Sequence, residues 1–328
     1  MRLLLSMGVS EAVGAPLQPR LRALDTATGA ISDVFRWTPT RHPPGEHAEL
    51  TGARWDGAAL MVCSRTEVLW LTWPGPVVAR VLTHPLMHDV HAAVRLPDGA
   101  VAVASSGIDS VLRFEGDALV AHTWLQPWPH PPRPADDDLA RAFGLPRDLR
   151  LVPPDTFKPH RVHPNHLEPE GDRLWVTSLA DRSRRLLGTG EGHLLPSPPH
   201  DGRRLAGATW LTTIDGHLLR DDGATRTSLD VAALEGAGGL PGWCRAVEVV
   251  GDVVYVGFSA LRASRLRELA RVAARGRAGV KQPTRVLAIH WPTRSLIGAW
   301  PVGGPGGGTI YSIVADHGVV TGPPTADP

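Results

Sequence analysis

Cysteine is scarce in this sequence: Cys63 and Cys244 are the only two in 328 residues. Two distant thiols cannot make a disulfide framework or a C-x-x-C redox or metal motif. Surplus charge of either sign is missing as well. Lys and Arg number 34 against 33 Asp and Glu, for a net charge of +1, so neither nucleic acid nor an anionic membrane surface is an expected partner. No stretch approaches the roughly 18 apolar residues of a transmembrane helix. The opening MRLLLSMGVS is too short for a secretory apolar core and breaks at Gly8, so a cytoplasmic, reduced location is expected. Nucleotide and acyl-transfer signatures are wanting too. GGPGGGT, ending at Thr309, lacks the lysine and following helix of a phosphate loop, and no G-x-S-x-G elbow occurs.

Turns and short apolar runs are what the sequence has in quantity, with 35 Gly and 31 Pro. The runs are strand-length, and Gly/Asp pairs separate them. One layout recurs in EHAELTGARWDGAALMVCSRTEVLWLTW, HAAVRLPDGAVAVASSGIDSVLRFEGD, HPNHLEPEGDRLWVTSLADRSRRLLGTG, HDGRRLAGATWLTTIDGHLLRDDG and WCRAVEVVGDVVYVGFS. TIYSIVADHGVVTG near the C-terminus and RLLLSMGVS with RLRALDTATGAISDVFRW near the N-terminus would form a sixth unit. Units of roughly 40 to 60 residues fit the repeat length of propeller blades. The expected fold is all-β: a six-bladed propeller over residues 1–328, one domain, closed by strands from both ends so that no sheet edge stays open. A sandwich shares the hairpin spacing, but tandem recurrence of one layout favours the propeller.

Three insertions interrupt the blades. PADDDLARAFGLPRDLR and DVAALEGAGGLPG read as short helices. Ala260 to Gly279 reads as a longer amphipathic one, with Leu261, Leu266, Leu269 and Val272 on one side and six Arg elsewhere. This basic helix is a solvated cap, or a docking surface for an acidic protein partner.

Propeller blades put their innermost strands along a common axis. Counting seven residues back from the first turn of each blade aligns Glu49, His91, His200 and Cys244. Matching the two H-x-x-H segments adds His166 beside His91, and His163 beside His88. The closing blade contributes Ile310 or Tyr311. Several imidazoles at one axis cost desolvation unless each finds a partner, and a divalent metal is such a partner. The expected ligands are His91, His166 and His200 with Glu49. His88 and His163 lie nearer the mouth, as substrate contacts or alternative ligands. Cys244, next to Arg245, is open to three readings: ligand, activated thiolate, or small core residue. Asp89, Asn165 and Asp201 are placed to accept from the ligands' second ring nitrogens. His-rich ligation argues against calcium and for a transition metal, Fe(II) first and Zn(II) second. Lys158, His160, Arg161, Arg245 and Tyr311 would make a cationic rim for a carboxylate-bearing or phenolic small molecule.

Six antiparallel blades around an axial metal resemble, in layout over most of the chain, the superfamily of gluconolactonases, regucalcin, paraoxonase lactonases and strictosidine synthase-like proteins. That resemblance implies a small-molecule enzyme with a calcium held by Glu, Asn and Asp. Here the aligned positions are mainly His. Histidine ligation at a propeller axis is similar in chemistry to the carotenoid cleavage oxygenases, which hold iron with four histidines on seven blades. The function expected is therefore a metal-dependent enzyme, foremost a non-haem iron oxidoreductase. A zinc- or other metal-dependent hydrolase or lyase, or a non-catalytic binding propeller, are the alternatives.

Overall fold

Hairpins build the molecule, and their turns are written in the sequence. Asp56 pairs with Ala59 across Gly57-Ala58, and Glu170 with Arg173 across Gly171-Asp172. Gly57 has φ 61° and Gly171 φ 57°, so a glycine takes the left-handed first position that tight two-residue hairpins require. The computed structural model describes residues 1–131, 133–134, 148–157, 160–236, 239–240, 242–261 and 280–317.

These hairpins assemble into six antiparallel sheets, the blades of a propeller. Blade one joins Gly308–Ala315 to Arg2–Val9, Gln18–Asp25 and Ile31–Arg36. Blade two is Leu50–Asp56, Ala59–Ser64, Glu67–Leu71 and Val78–Thr83, and blade three runs from Val90–Arg95 to Ala118–Trp124. Blade four begins at Pro164–Glu170, blade five at Arg203–Leu205 and blade six at Trp243–Val250. The ring closes as expected. Strand Gly308–Ala315 lies against Arg2–Val9 from Leu3↔Ala315 to Val9↔Gly308, and the Ser6 and Ser312 hydroxyls meet at 2.6 Å.

Inner strands are covered by neighbouring blades on both sides and are apolar on both faces. Val101–Ser105 is buried at every position, whereas the outermost Ile31–Arg36 is buried at none. Apolar clusters fill five of the blade junctions, for instance Met61, Val68, Val103 and Phe114 between blades two and three. Among the described residues the junction of blades four and five is polar instead: Arg204 reaches Glu170 at 3.0 Å, and Arg184 stacks on Trp175.

Of the expected helices, the second appears as one turn, Val231–Leu234, capped by the Asp230 carboxylate accepting from the Ala233 N–H at 3.1 Å. Most of PADDDLARAFGLPRDLR and most of the basic segment 260–279 lie outside the described residues. No helix among the described residues is long and apolar enough to cross a membrane.

Candidate metal centre

Each channel-lining strand except that of blade five carries a β-bulge near its start. The unpaired residues are Thr51, His91, Asn165, Arg245 and Tyr311. A bulge re-aims a side chain, and all five are buried at the channel. The His91 and Tyr311 rings meet there with that of His200 of blade five. His91 lies 5.8 Å from His200 and 5.7 Å from Tyr311, while His200 and Tyr311 are 6.0 Å apart, centroid to centroid. The Arg245 guanidinium packs on Tyr311 at 4.8 Å and on Trp243 at 4.6 Å.

Two residues before the bulges stand Glu49, Asp89 and His163, equivalent positions in blades two, three and four. Asp89, His91 and His163 bring their ligating atoms within 4.8 Å of one another, and all three are buried. Asp89 Oδ1 is 3.7 Å from His91 Nε2, and the His91 and His163 ring centroids are 4.9 Å apart. Asp89 and His163 both adopt left-handed backbone conformations, with φ 49° and 54°. Such conformers cost about 1–2 kcal/mol for a residue with a Cβ, and surrounding structure must hold them.

Arg65 supports the acidic side. Its Nε and Nη2 donate to Glu49 Oε2 at 2.7 and 2.6 Å, and its Nη1 to Asp89 Oδ1 at 2.8 Å. Burial would raise the Asp89 carboxyl, but the Arg65 charge, then the His91 hydrogen bond and charge, hold it well below the usual carboxylate range. His200 donates Nδ1–H to the Arg245 carbonyl at 3.0 Å, which leaves Nε2 as its basic atom. Burial, then the Arg245 charge and the His91 and His163 rings, push the His200 imidazole well below its ordinary value. A cavity of about 30 Å³ touches Thr51, His91, Asn165, His200 and Tyr311. Among the described residues, His91 Nδ1 and Asn165 Oδ1 have no hydrogen-bond partner.

Deeper in the channel, His166 Nδ1 is 3.0 Å from Asp201 Oδ1 and Nε2 is 3.4 Å from Glu168 Oε2. Arg54 reaches Glu168 at 3.3 Å, and Arg203 reaches Glu248 at 3.1 Å. Burial would raise Glu168, but the His166 hydrogen bond and the Arg54 charge outweigh it and lower it. Among the described residues, five buried carboxylates (Glu49, Asp89, Glu168, Asp201, Glu248) lie along these inner strands with the guanidiniums of Arg54, Arg65, Arg203 and Arg245.

The structure regroups the residues singled out in the sequence. His91 sits with Asp89 and His163, rather than converging with His166 and His200 alone. His166 has both ring nitrogens on carboxylates, and Glu49 takes two donors from Arg65. His88 turns to the Val152 carbonyl at 3.1 Å. Burial, its largest influence, lowers the His88 imidazole. Cys244 occupies the position before a bulge, where the other blades have Leu50, Val90, Pro164 and Ile310. It faces the apolar cluster with Val256 and Phe258, and burial drives its thiol well above the ordinary value. Tyr311, not Ile310, faces the channel. The His160 ring lies 4.8 Å from that of His163, and Lys158 falls outside the described residues. The offsets slip because turn lengths differ: residues 96–100 link the first hairpin of blade three, against Gly57-Ala58 in blade two. Counting from turns sets Glu49 opposite His91, whereas the bulges set it opposite Asp89. Arg65, on the second strand-to-strand turn of blade two, had no signal in the sequence.

No protein-family model and no curated protein sequence matches the chain. Solved structures do. A protein of unknown function from Bacteroides caccae is 12% identical with a TM-score of 0.56, over 95% of this chain and 97% of that one. A chain of the nidogen/laminin complex is 9% identical with a TM-score of 0.54, again over 95% and 97%. Virginiamycin B lyase from Staphylococcus aureus is also similar, at 10% identity and a TM-score of 0.47 over 91% and 85%. At these identities what is shared is the propeller fold.

Proposed function

We propose that this propeller, read as one domain over residues 1–328, is a metal-dependent enzyme acting on a small molecule at its axial channel. The observation that carries the reading is the buried Asp89, His91 and His163 group. Two imidazoles and one carboxylate are the donor set of non-haem Fe(II) sites, which keep open positions for substrate and dioxygen. Fe(II) oxidation chemistry is therefore the leading form. The likeness to the calcium-binding propeller hydrolases extends to layout, since the donors here are nitrogen-rich. A cytoplasmic setting suits two buried thiols, Cys63 and Cys244.

The chain's own groups supply the rest. His200, neutral and anchored through Nδ1, presents Nε2 as a general base on the side chain that neighbours the Tyr311 ring. This arrangement favours, as a second reading, a zinc-dependent hydrolase or lyase, in which metal-bound water would be the nucleophile. Arg245, stacked on Tyr311, offers a positive charge to a carboxylate-bearing substrate. Protein purified without oxygen should carry a transition metal, which Asp89→Asn, His91→Ala and His163→Ala remove and Cys244→Ser retains. Elemental analysis reads this directly. Metal-free wild type after incubation with Fe(II) or Zn(II) salts would overturn the reading and leave a binding propeller with a polar channel.

A further inference from the structure

The two ligand-bearing loops of the proposed centre belong to different blades, and one short segment grips both. It is the turn from Ser105 to Asp109, which includes a 3-10 turn at Ser106–Ile108. On its first side it holds the loop of His88 and Asp89. The Ser105 Oγ accepts from the His88 N–H at 3.0 Å, the Gly107 N–H donates to the His88 carbonyl at 2.9 Å, and the Ser106 N–H to the Asp89 carbonyl at 3.3 Å. Gly107 lies so close under the His88 ring that a Cβ would overlap it. On its other side it holds the loop of His163. The Asp109 carboxylate accepts three consecutive backbone N–H groups, from Arg161 at 3.0 Å, Val162 at 3.2 Å and His163 at 2.7 Å. Ser106 Oγ also donates to the Pro164 carbonyl.

We infer that Ser105–Asp109 is the bracket that sets the distance between Asp89 and His163, with Asp109 as the positioning residue for His163. The inference rests on the metal reading proposed above. Its physical content is conformational. His163 is left-handed at φ 54°, a state an unsupported histidine leaves easily. Three charge-assisted hydrogen bonds donated to one carboxylate lock the loop before the strand and so fix where the imidazole points. Asp109 is itself left-handed at φ 52°, so alanine there would combine backbone strain with loss of the carboxylate.

The test therefore uses Asp109→Gly, which keeps the backbone state, and Asp109→Asn. The asparagine Oδ1 can still accept from Val162 and His163. Chelator-treated full-length protein is titrated with Co(II) chloride without oxygen, following affinity and the visible ligand-field bands. Asp109→Gly should bind Co(II) about 10- to 100-fold more weakly, the range for residues that orient metal ligands. Its bands should also shift, and Asp109→Asn should recover part of both effects. Wild-type affinity and bands in Asp109→Gly would overturn the inference, as would a loss of thermal stability alone. Should the wild type bind no Co(II), the metal reading itself falls. The imidazole ¹⁵N shifts of His163 in the apo proteins then decide the bracket's hold on His163, and shifts unchanged in Asp109→Gly refute it.

Discussion

Replacing Arg65 by Met tests the electrostatics of the centre while leaving all three proposed ligands in place. The guanidinium contacts Glu49 at 2.6 Å and Asp89 at 2.8 Å, and both carboxylates are almost wholly enclosed. Breaking a buried ion pair from one side costs about 3–5 kcal/mol. Here one deletion orphans two carboxylates, so the upper part of that range is expected at pH 7. The pH dependence should also change sign. In the wild type Asp89 lies well below the usual range, because Arg65 and His91 outweigh burial. That stabilisation is present above the unfolded carboxylate value near 4, and is lost as pH falls through the native value. Without Arg65, burial dominates and raises the native value, so the variant gains stability on acidification from about pH 7 towards pH 4. The limit is about 1.4 kcal/mol per pH unit for each proton taken up. Urea denaturation across this interval reads both quantities from midpoints at constant slope. A variant within about 1 kcal/mol of wild type at pH 7, with parallel pH dependence, would refute the argument.

His200 titrates in the opposite sense. Its native value is depressed, so the unfolded chain protonates first, and stability should fall as pH drops below about 6.5. His200→Gln should remove up to about 1.4 kcal/mol per pH unit of that slope, and an unchanged slope in denaturation curves between about pH 7 and pH 5 would count against the buried neutral imidazole. Burial pushes the Cys63 thiol up to about 12 and Cys244 well above its ordinary value. A disulfide reagent should therefore label neither in the native protein and both in denaturant; rapid native labelling would show that one is exposed or activated.

The hairpins, their turns and the pairing of the chain's two ends were legible in the sequence, because a strand's alternation and a turn's glycine are local properties. Six repeats of one such pattern leave few ways to bury every edge. The concentration of histidine at the inner strands of blades three to five was equally visible, in H-x-x-H at 88–91 and 163–166 and in His200. Which of these meet was decided by the tertiary structure. Bulges at Thr51, His91, Asn165, Arg245 and Tyr311 shift the side-chain register by one residue each, and the five-residue turn of blade three displaces its offset from the rest. Neither leaves a mark in apolar patterning, since inner strands buried on both faces carry no alternation for a bulge to interrupt. Asp89 and His163 face each other because two left-handed residues are held from outside their own strands, by Ser106, Gly107 and Asp109. The hold on Asp89 lies within blade three and that on His163 crosses from blade three to blade four, so both depend on residues distant in sequence being packed together, which is why sequence named the imidazoles and only the fold chose among them.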